Sequence, residues 1–287
     1  MTLEASNAAV HKLINILRVK DDLPVTLRRK FDKQVIKLTT KLTEETEVFL
    51  HHLDIEQHSE KSVRATLQAF PEALYQINEK DRLPIQQACY SDKSSPFIPL
   101  LAEEGNKLHV RGAGNRGGLL LNLPGEEKRT NILQLLSNWN SKADPIACDS
   151  TSTSVLKKLE RGKLLKTKDV KRYNLLPLAS FPSSKQRFRH LVKLSPEALK
   201  GNRSNSDPLL KVVVSHGDID RFAMVLKAGM DYYPEEAGLL FRRKNDDDKN
   251  ACDLAFKLFS RKEIMDCLPS NTAYQHYTRI FRQYFDA

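Results

Sequence analysis

Residues 207–231 read DPLLKVVVSHGDIDRFAMVLKAGMD, and this stretch decides the fold of the chain. Pro208 precedes a short apolar segment, and proline suits the first turn of a helix. Residues 216–218, His-Gly-Asp, then interrupt the apolar pattern with turn-forming residues. The stretch therefore begins with a short helix that ends in a tight turn.

A second helix is predicted after this turn. Phe222, Val225 and Leu226 lie at i, i+3 and i+4, a spacing that places them on one buried face. We expect Gly229 to end this helix in the left-handed conformation, which glycine adopts without a steric penalty. A helix pair of this size cannot bury its own apolar face, so it must pack against further units.

A short proline motif recurs along the chain. Pro-Glu-Ala-Leu stands at 71–74 and again at 196–199, and a looser copy, Pro-Glu-Glu-Ala-Gly-Leu, stands at 234–239. The first two copies are followed, after nearly equal intervals, by Pro84 and Pro208. Self-similarity of this kind is the sequence signature of a repeat architecture.

Helix-pair patterns like that of 207–231 also occupy residues 84–105 and 251–268. Two weaker units lie between them. In one, which begins at 144–148, Asp-Ser-Thr-Ser-Thr replaces the first helix and 155–159 forms the second. In the other, residues 174–179 form the first helix and Phe188, Leu191 and Val192 lie on the second. We expect five to six repeats over residues 59–270.

The stretch 207–231 resembles an ankyrin repeat, whose pattern runs Thr-Pro-Leu-His, then Gly-His, then a Leu-rich second helix. From Gly217 to Asp231 the match has the length of the family pattern. Leu210 stands where the family often has a histidine, so the hydrogen bond of that histidine is expected to be absent. The proline motifs make the chain similar to expanded ankyrin-like families of some unicellular eukaryotes. The resemblance implies an all-α ankyrin-type solenoid that binds other proteins.

A glycine-rich segment, residues 110–118, contains Gly112-x-Gly114-x-x-Gly117. This spacing is typical of a dinucleotide-binding loop, which lies between a strand and a helix and precedes an acidic residue by about 20 positions. Asn138 stands near that position instead of an acid. We favour the alternative of a turn between two repeats, with an inner helix from Leu119 and an outer helix over 132–136.

The two ends of the chain differ from the repeats. Apolar helical faces over 10–17 and 31–42 predict a helical N-terminal cap at 1–58, which covers the first repeat. Residues 271–287, with Tyr274 and Tyr277 on an apolar face, predict a C-terminal amphipathic helix. We favour a capping role for that helix, and docking to a partner is the alternative.

Composition indicates a soluble protein without a membrane span or a secretory leader. The chain has 287 residues, 40% of them hydrophobic, and a mean hydropathy of −0.49. No apolar run approaches the roughly 18 residues of a membrane helix. Four scattered cysteines without a Cys-x-x-Cys pair indicate buried thiols in a reducing compartment, and we expect the cytoplasm, with the nucleus as an alternative.

Positive charge is concentrated in one block. Residues 151–200 carry 13 Lys and Arg against 3 acidic residues, and the rest of the chain is balanced, so the block holds the whole net charge of +10. The block forms either a solvated helical face or a basic stripe that binds an acidic protein segment, anionic lipid or nucleic acid. The candidate residues are Lys157, Lys158, Arg161, Lys163, Lys166, Lys168, Lys171, Arg172, Arg187, Arg189 and Lys193.

Patterns of catalytic and metal-binding sites are weak. His51, His52 and His58 cluster without a cysteine, so exposed histidines on the cap are favoured over a metal site. Residues 245–250 resemble a calcium loop, but they lack its glycine and its closing glutamate. Residues 215–218 hold Ser, His and Asp in one turn, whereas a catalytic triad converges from separate elements. We expect no cofactor and no bound metal.

Three functions remain open at this stage. The first is a non-catalytic module or scaffold that binds proteins through the concave face and loops of the solenoid. The second is an electrostatic binder of nucleic acid or anionic lipid through residues 151–200. The third is an enzyme of undetected type, which would need a deep pocket with converging polar groups.

Overall fold

The computed structural model describes residues 37, 41, 48–124, 130–139, 144–201, 207–241 and 250–267. These residues form helices and turns and no strand, which confirms the all-α class. The chain divides into two compact units, residues 1–129 and 130–287, and each is described by itself. Most of the predicted N-terminal cap, the loop at 245–249 and the predicted C-terminal helix lie outside the described residues.

The first unit has three complete α-helices among its described residues: α1 (Glu60–Ala69), α2 (Pro84–Ala88) and α3 (Ile98–Lys107). Ser59 begins α1 as its N-cap, because its hydroxyl accepts the Ser62 N–H. Helix α3 contacts both α1 and α2. Its fully buried residues Ile98 and Leu101 lie in the core of this unit.

The described part of the second unit consists of nine α-helices. They are α4 (Ile132–Asn138), α5 (Pro145–Arg161), α6 (Thr167–Arg172), α7 (Leu175–Ala179), α8 (Lys185–Leu194), α9 (Leu209–Val214), α10 (Ile219–Tyr232), α11 (Ala251–Leu258) and α12 (Arg261–Asp266). The stretch 207–231 forms the two helices that its sequence predicts, and Gly217, at φ 69°, makes the turn between them.

Helices of the second unit are arranged in two rows. The shorter helices α4, α7, α9 and α11 contact one another in that order, and the longer helices α5, α8 and α10 do the same. Asp149, near the start of α5, bonds to Arg187 near the start of α8, and Glu160, near its end, meets His190 further along α8. The helices α5 and α8 therefore run in the same direction.

Each copy of the proline motif forms a 3₁₀ helix directly after an α-helix, over Pro71–Tyr75, Pro196–Lys200 and Pro234–Leu239. The residue before the proline has similar non-helical backbone angles in all three, with φ/ψ of −135°/67° at Phe70, −149°/78° at Ser195 and −134°/56° at Tyr233. Proline disfavours the helical conformation of the residue before it. The motif therefore ends the preceding helix, which explains its recurrence.

Gly229 does not end α10, so the prediction of a left-handed helix stop is wrong. It lies inside the helix and packs against Gly238, and a Cβ atom at Gly229 would lie 2.3 Å from the Gly238 carbonyl oxygen. Gly105 in α3 makes the same kind of contact with Gly117, at 2.9 Å. Both glycines are required because a helix backbone touches a turn backbone.

The repeat boundaries predicted between residues 119 and 161 are also wrong. No α-helix begins at Leu119; residues 119–121 form turns, and 132–138 form the shorter helix α4 instead of an outer helix. Residues 149–153 are not an eroded segment, because α5 is continuous from Pro145 to Arg161. The buried Thr153 hydroxyl donates to the Asp149 carbonyl oxygen one turn earlier, so this polar group is satisfied inside the helix.

The glycine-rich segment does not have the surroundings of a nucleotide-binding loop. In the described residues it follows α3 and not a strand, and it leads into turns and not into a helix. Gly112, Gly117 and Gly118 have positive φ values, and Gly117 contacts the backbone of α3. These glycines shape a turn against a helix, as the favoured alternative expected.

Candidate interaction surface

Arg187, one of the predicted basic-stripe residues, is fully buried. Its Nε donates to the Asp149 carboxylate at 2.9 Å, and its guanidinium also donates to the Leu136 carbonyl oxygen at 2.9 Å and to the Ser184 hydroxyl. All of these groups belong to the protein core, because the carboxylate of Asp149 is buried too. Arg187 is therefore not part of the exposed surface, and its assignment to the stripe is corrected.

Arg221 makes a similar bond to the end of a shorter helix, 34 residues later in the chain. Arg187 and Arg221 are both the third residue of their helices, α8 and α10. Arg187 donates to a carbonyl near the C-terminal end of α4, and Arg221 donates to the Pro177 carbonyl oxygen of α7 at 2.9 Å. Carbonyl groups in the last turn of a helix lack partners within the helix, and a cation there also offsets the helix dipole.

Two glutamines make a second recurring contact. Gln86 and Gln134 are the third residues of α2 and α4, and each side-chain oxygen accepts the backbone N–H of the residue that precedes its helix. Their amide groups donate to carbonyl oxygens far along the chain, Gln86 to Asn122 and Gln134 to Tyr173. Each glutamine thus caps its own helix and ties it to a distant turn.

Most of the other predicted stripe residues are exposed, but they lie on different elements. Lys163 is in the turn after α5, Lys166 precedes α6, and Lys168 and Arg172 are exposed on α6. Lys171 is half-buried. Lys171 and Arg172, in the last turn of α6, also offset the dipole of that helix. Part of the positive charge therefore has a structural role.

Six exposed cations lie on the packed helices α5 and α8, and we name them the basic ridge: Lys157, Lys158, Arg161, Lys185, Arg189 and Lys193. Lys185, Arg189 and Lys193 recur at i, i+4 and i+8, so they share one face of α8. Lys157 and Lys193 both act on the charge of His190, which lies between α5 and α8. Lys185 was not among the predicted stripe residues, although its spacing from Arg189 indicates that both lie on one face.

His190 lies in the interface of α5 and α8 with its side chain 9% exposed. Its Nε2 is 3.4 Å from the Glu160 carboxylate, and this buried atom has no hydrogen-bond partner. Burial lowers the pKa of His190; Glu160 opposes this shift, and Lys157 and Lys193 add to it. The imidazole is therefore held neutral at a pH where a free histidine would be partly charged.

His190 should make the stability of the protein fall in acid. The pKa of the folded state lies below that of the unfolded chain, so the unfolded chain binds more protons as the pH falls through the histidine range. We expect His190→Gln to lose part of the decrease in melting temperature that the parent shows between about pH 7.5 and about pH 5. Equal decreases in the parent and the variant would contradict this.

Two exposed aromatic side chains each follow a short helix. Tyr90 and Phe181 each lie two residues beyond a shorter helix, and they are 37% and 39% exposed. An arginine covers each ring: the guanidinium of Arg82 lies 3.7 Å from the Tyr90 centroid, and that of Arg221 lies 4.3 Å from the Phe181 centroid. Such pairs are held in place by cation–π attraction and present a rigid aromatic edge to solvent.

The other residues considered for metal binding or catalysis make structural contacts or lie exposed on the surface. His51 is buried and contacts the Arg82 carbonyl oxygen, and His58 accepts the Asp54 N–H, so only His52 of this cluster is exposed as predicted. In the described residues no group of three or more His, Cys, Asp or Glu side chains could hold a metal ion. His216 contacts the Val212 carbonyl oxygen and belongs to a turn.

The cysteines are free thiols, and three of the four are buried. Burial raises the pKa of the Cys252 thiol to about 12 and that of Cys267 to about 11. A thiol nucleophile needs a lowered pKa, so neither residue is suited to that role. No helix in the described part of the chain is both long enough and apolar enough to cross a membrane.

Comparisons of the chain with models of protein families, with curated proteins and with solved structures gave no match.

Proposed function

We propose that this chain is a non-catalytic protein-binding module, built as a stack of ankyrin-like helix pairs. One observation carries the proposal: Arg187 and Arg221, 34 residues apart, occupy the same helix position and bind the end of the shorter helix in the preceding pair. Equivalent residues with equivalent bonds are expected when similar units stack on one another.

Helix pairs that stack leave their connecting turns exposed, and this supports binding as their function. Tyr90 and Phe181 each lie two residues beyond a shorter helix and are ordered by arginine contacts. Tyrosine and arginine are enriched among residues that dominate protein interfaces, because a rigid aromatic ring loses little entropy on binding. We therefore infer that the turns after the shorter helices contact the partner.

Affinity capture tests this function. The purified chain is immobilised and exposed to nuclease-treated native cell extract, beside the double variant Tyr90→Ala/Phe181→Ala. The control is Ile146→Ala/Leu258→Ala, which removes two side chains that are 78% and 51% exposed but lie outside these turns. We expect the parent and the control to retain one or a few discrete proteins that the turn variant loses.

A retained protein must then bind the purified parent chain in a defined stoichiometry. Retention of nothing beyond what an empty support retains, in extracts from several growth conditions, would contradict the proposed function. Equal retention by the turn variant would leave protein binding in place and reject the turns as the contact.

A further inference from the structure

The basic ridge is a dense patch of charge. Lys185 and Lys193 are eight residues apart on one face of α8, which is about 12 Å at the rise of an α-helix. Packed helices lie about 8–10 Å apart, so α5 and α8 together present six cations over a small area. His190 of α8 lies 3.4 Å from Glu160 of α5, and Lys157 and Lys193 are each three residues from one of these two, so the cations of the two helices adjoin one another.

The ridge has few acidic partners of its own. The structure shows no ion pair between Lys157, Arg161, Lys185, Arg189 or Lys193 and any described residue. Two carboxylates lie between α5 and α8: Asp149 is paired with the buried Arg187, and Glu160 lies against His190. Like charges held this close repel one another, and an external anion would relieve that repulsion.

The composition of the ridge restricts what that anion can be. The exposed residues between the cations, within 154–161 and 185–193, are small or polar, such as Ser154 and Gln186, and the exposed Ile146 lies at the opposite end of α5 from Lys157 and Arg161. Protein interfaces concentrate aromatic residues at their centre and deplete lysine there. Stable attachment to a membrane requires apolar insertion or a lipid chain in addition to charge. This surface is therefore poorly suited to bind either a protein or a membrane.

A nucleic-acid backbone matches it better. Contacts from Lys and Arg to phosphates need no apolar anchor, since they gain free energy from released counterions. Single strands are usually held by stacking of bases on aromatic rings, which the ridge does not offer, so a duplex is favoured. We propose that the basic ridge binds double-stranded nucleic acid through its phosphates and independently of base sequence. This goes beyond the proposed binding of a protein and does not depend on it.

The test is equilibrium binding of the full-length chain to a labelled duplex of random sequence at several salt concentrations. The variant Lys157→Gln/Arg189→Gln/Lys193→Gln removes three ridge charges. The matched control, Lys227→Gln/Lys257→Gln/Lys262→Gln, removes three exposed charges from α10, α11 and α12 and has the same net charge. Circular dichroism verifies that both variants are folded.

We expect the ridge variant to bind the duplex at least about tenfold more weakly at low salt, and the slope of log K against log salt to fall by about 2 to 3. The control and a second duplex sequence should give parental values. Equal weakening in the control would overturn the proposal, because net charge alone would then explain binding. It would also be overturned if phosphatidylserine vesicles or an acidic peptide bound the ridge and the duplex did not.

Discussion

The variant Arg187→Met should lower the free energy of unfolding by about 3–5 kcal/mol. Methionine fills similar volume but has no charge, so the buried Asp149 carboxylate loses its cation while it stays buried. Two backbone N–H groups, those of Gln186 and Arg187, still donate to this carboxylate and keep part of its hydrogen bonding. The Leu136 carbonyl oxygen loses its donor as well. Urea unfolding at neutral pH measures the change.

The control for this variant is Arg189→Met, two residues further along the same helix. Arg189 is exposed and forms no ion pair in the described part of the chain, so its loss should change stability by no more than about 0.5 kcal/mol. Equal unfolding midpoints for Arg187→Met and the parent would show that the pair with Asp149 is not formed. A loss at Arg189 as large as at Arg187 would show that the assignment of buried and exposed positions on α8 is wrong.

Leu226→Ala should destabilise the protein by about 2–5 kcal/mol, because it deletes a fully buried side chain and leaves a cavity. Leu226 lies on the face of α10 that also buries Phe222 and Val225. The Phe222 ring in turn packs on Phe259 at 5.8 Å between centroids, so this face lies in the core. Thermal and urea unfolding of the variant measure the loss.

Lys227→Ala is the matched control for this cavity. Lys227 is exposed and adjacent to Leu226, and alanine is the better helix former, so we expect little change in stability. A Leu226→Ala protein that unfolds with the parent would show that this position is not in the core, and the predicted register of 207–231 would be wrong with it.

Local sequence signals were sufficient to predict the helices where the residues that start and end each helix lie within the same stretch. Pro208 and Gly217 mark the start and end of a shorter helix, and the apolar spacing after them marks the longer one. The proline motif was recognised as a recurring element, and the structure shows its physical reason, since each copy ends a helix. These signals act between near neighbours in the chain, so the sequence alone contains them.

The middle of the chain was misread because its signals depend on tertiary contacts. The Asp-Ser-Thr-Ser-Thr segment at 149–153 has weak helix propensity, which favoured an eroded helix. In the fold, the Asp149 carboxylate binds Arg187 of another helix, so a tertiary contact overrides the weak propensity. The prediction of an outer helix over 132–136 had a separate cause, which was the inner helix expected directly after the glycine-rich segment.

The same limit applies to the basic surface. Charge counts alone could not separate Arg187, which is buried, from Arg189, which is exposed two residues later. Helical spacing places Arg187 near the apolar residues Phe188 and Leu191, but recognising its role requires Asp149, 38 residues away. The spacing of Lys185, Arg189 and Lys193 was available in the sequence, and the face they share could have been predicted from it.

The central claim is that successive helix pairs are equivalent units, and removal of one unit tests it most directly. Deletion of residues 175–208 removes 34 residues and joins Asn174, which precedes α7, to Leu209, the first residue of α9. The shortened chain would place α9 and α10 where α7 and α8 were, with Arg221 facing Asp149. The control deletion, 185–208, leaves two shorter helices in succession, and the second of them cannot replace α8.

The measurement is urea unfolding of both deletion proteins, followed by circular dichroism. If the helix pairs are repeated units, the 175–208 deletion protein should unfold cooperatively and keep the parental helical signal per residue. The further change Arg221→Met should lower its stability. The 185–208 deletion should unfold without a cooperative transition. A 175–208 deletion protein that is unfolded, or no more cooperative than the control, would contradict the claim that the helix pairs are repeated units.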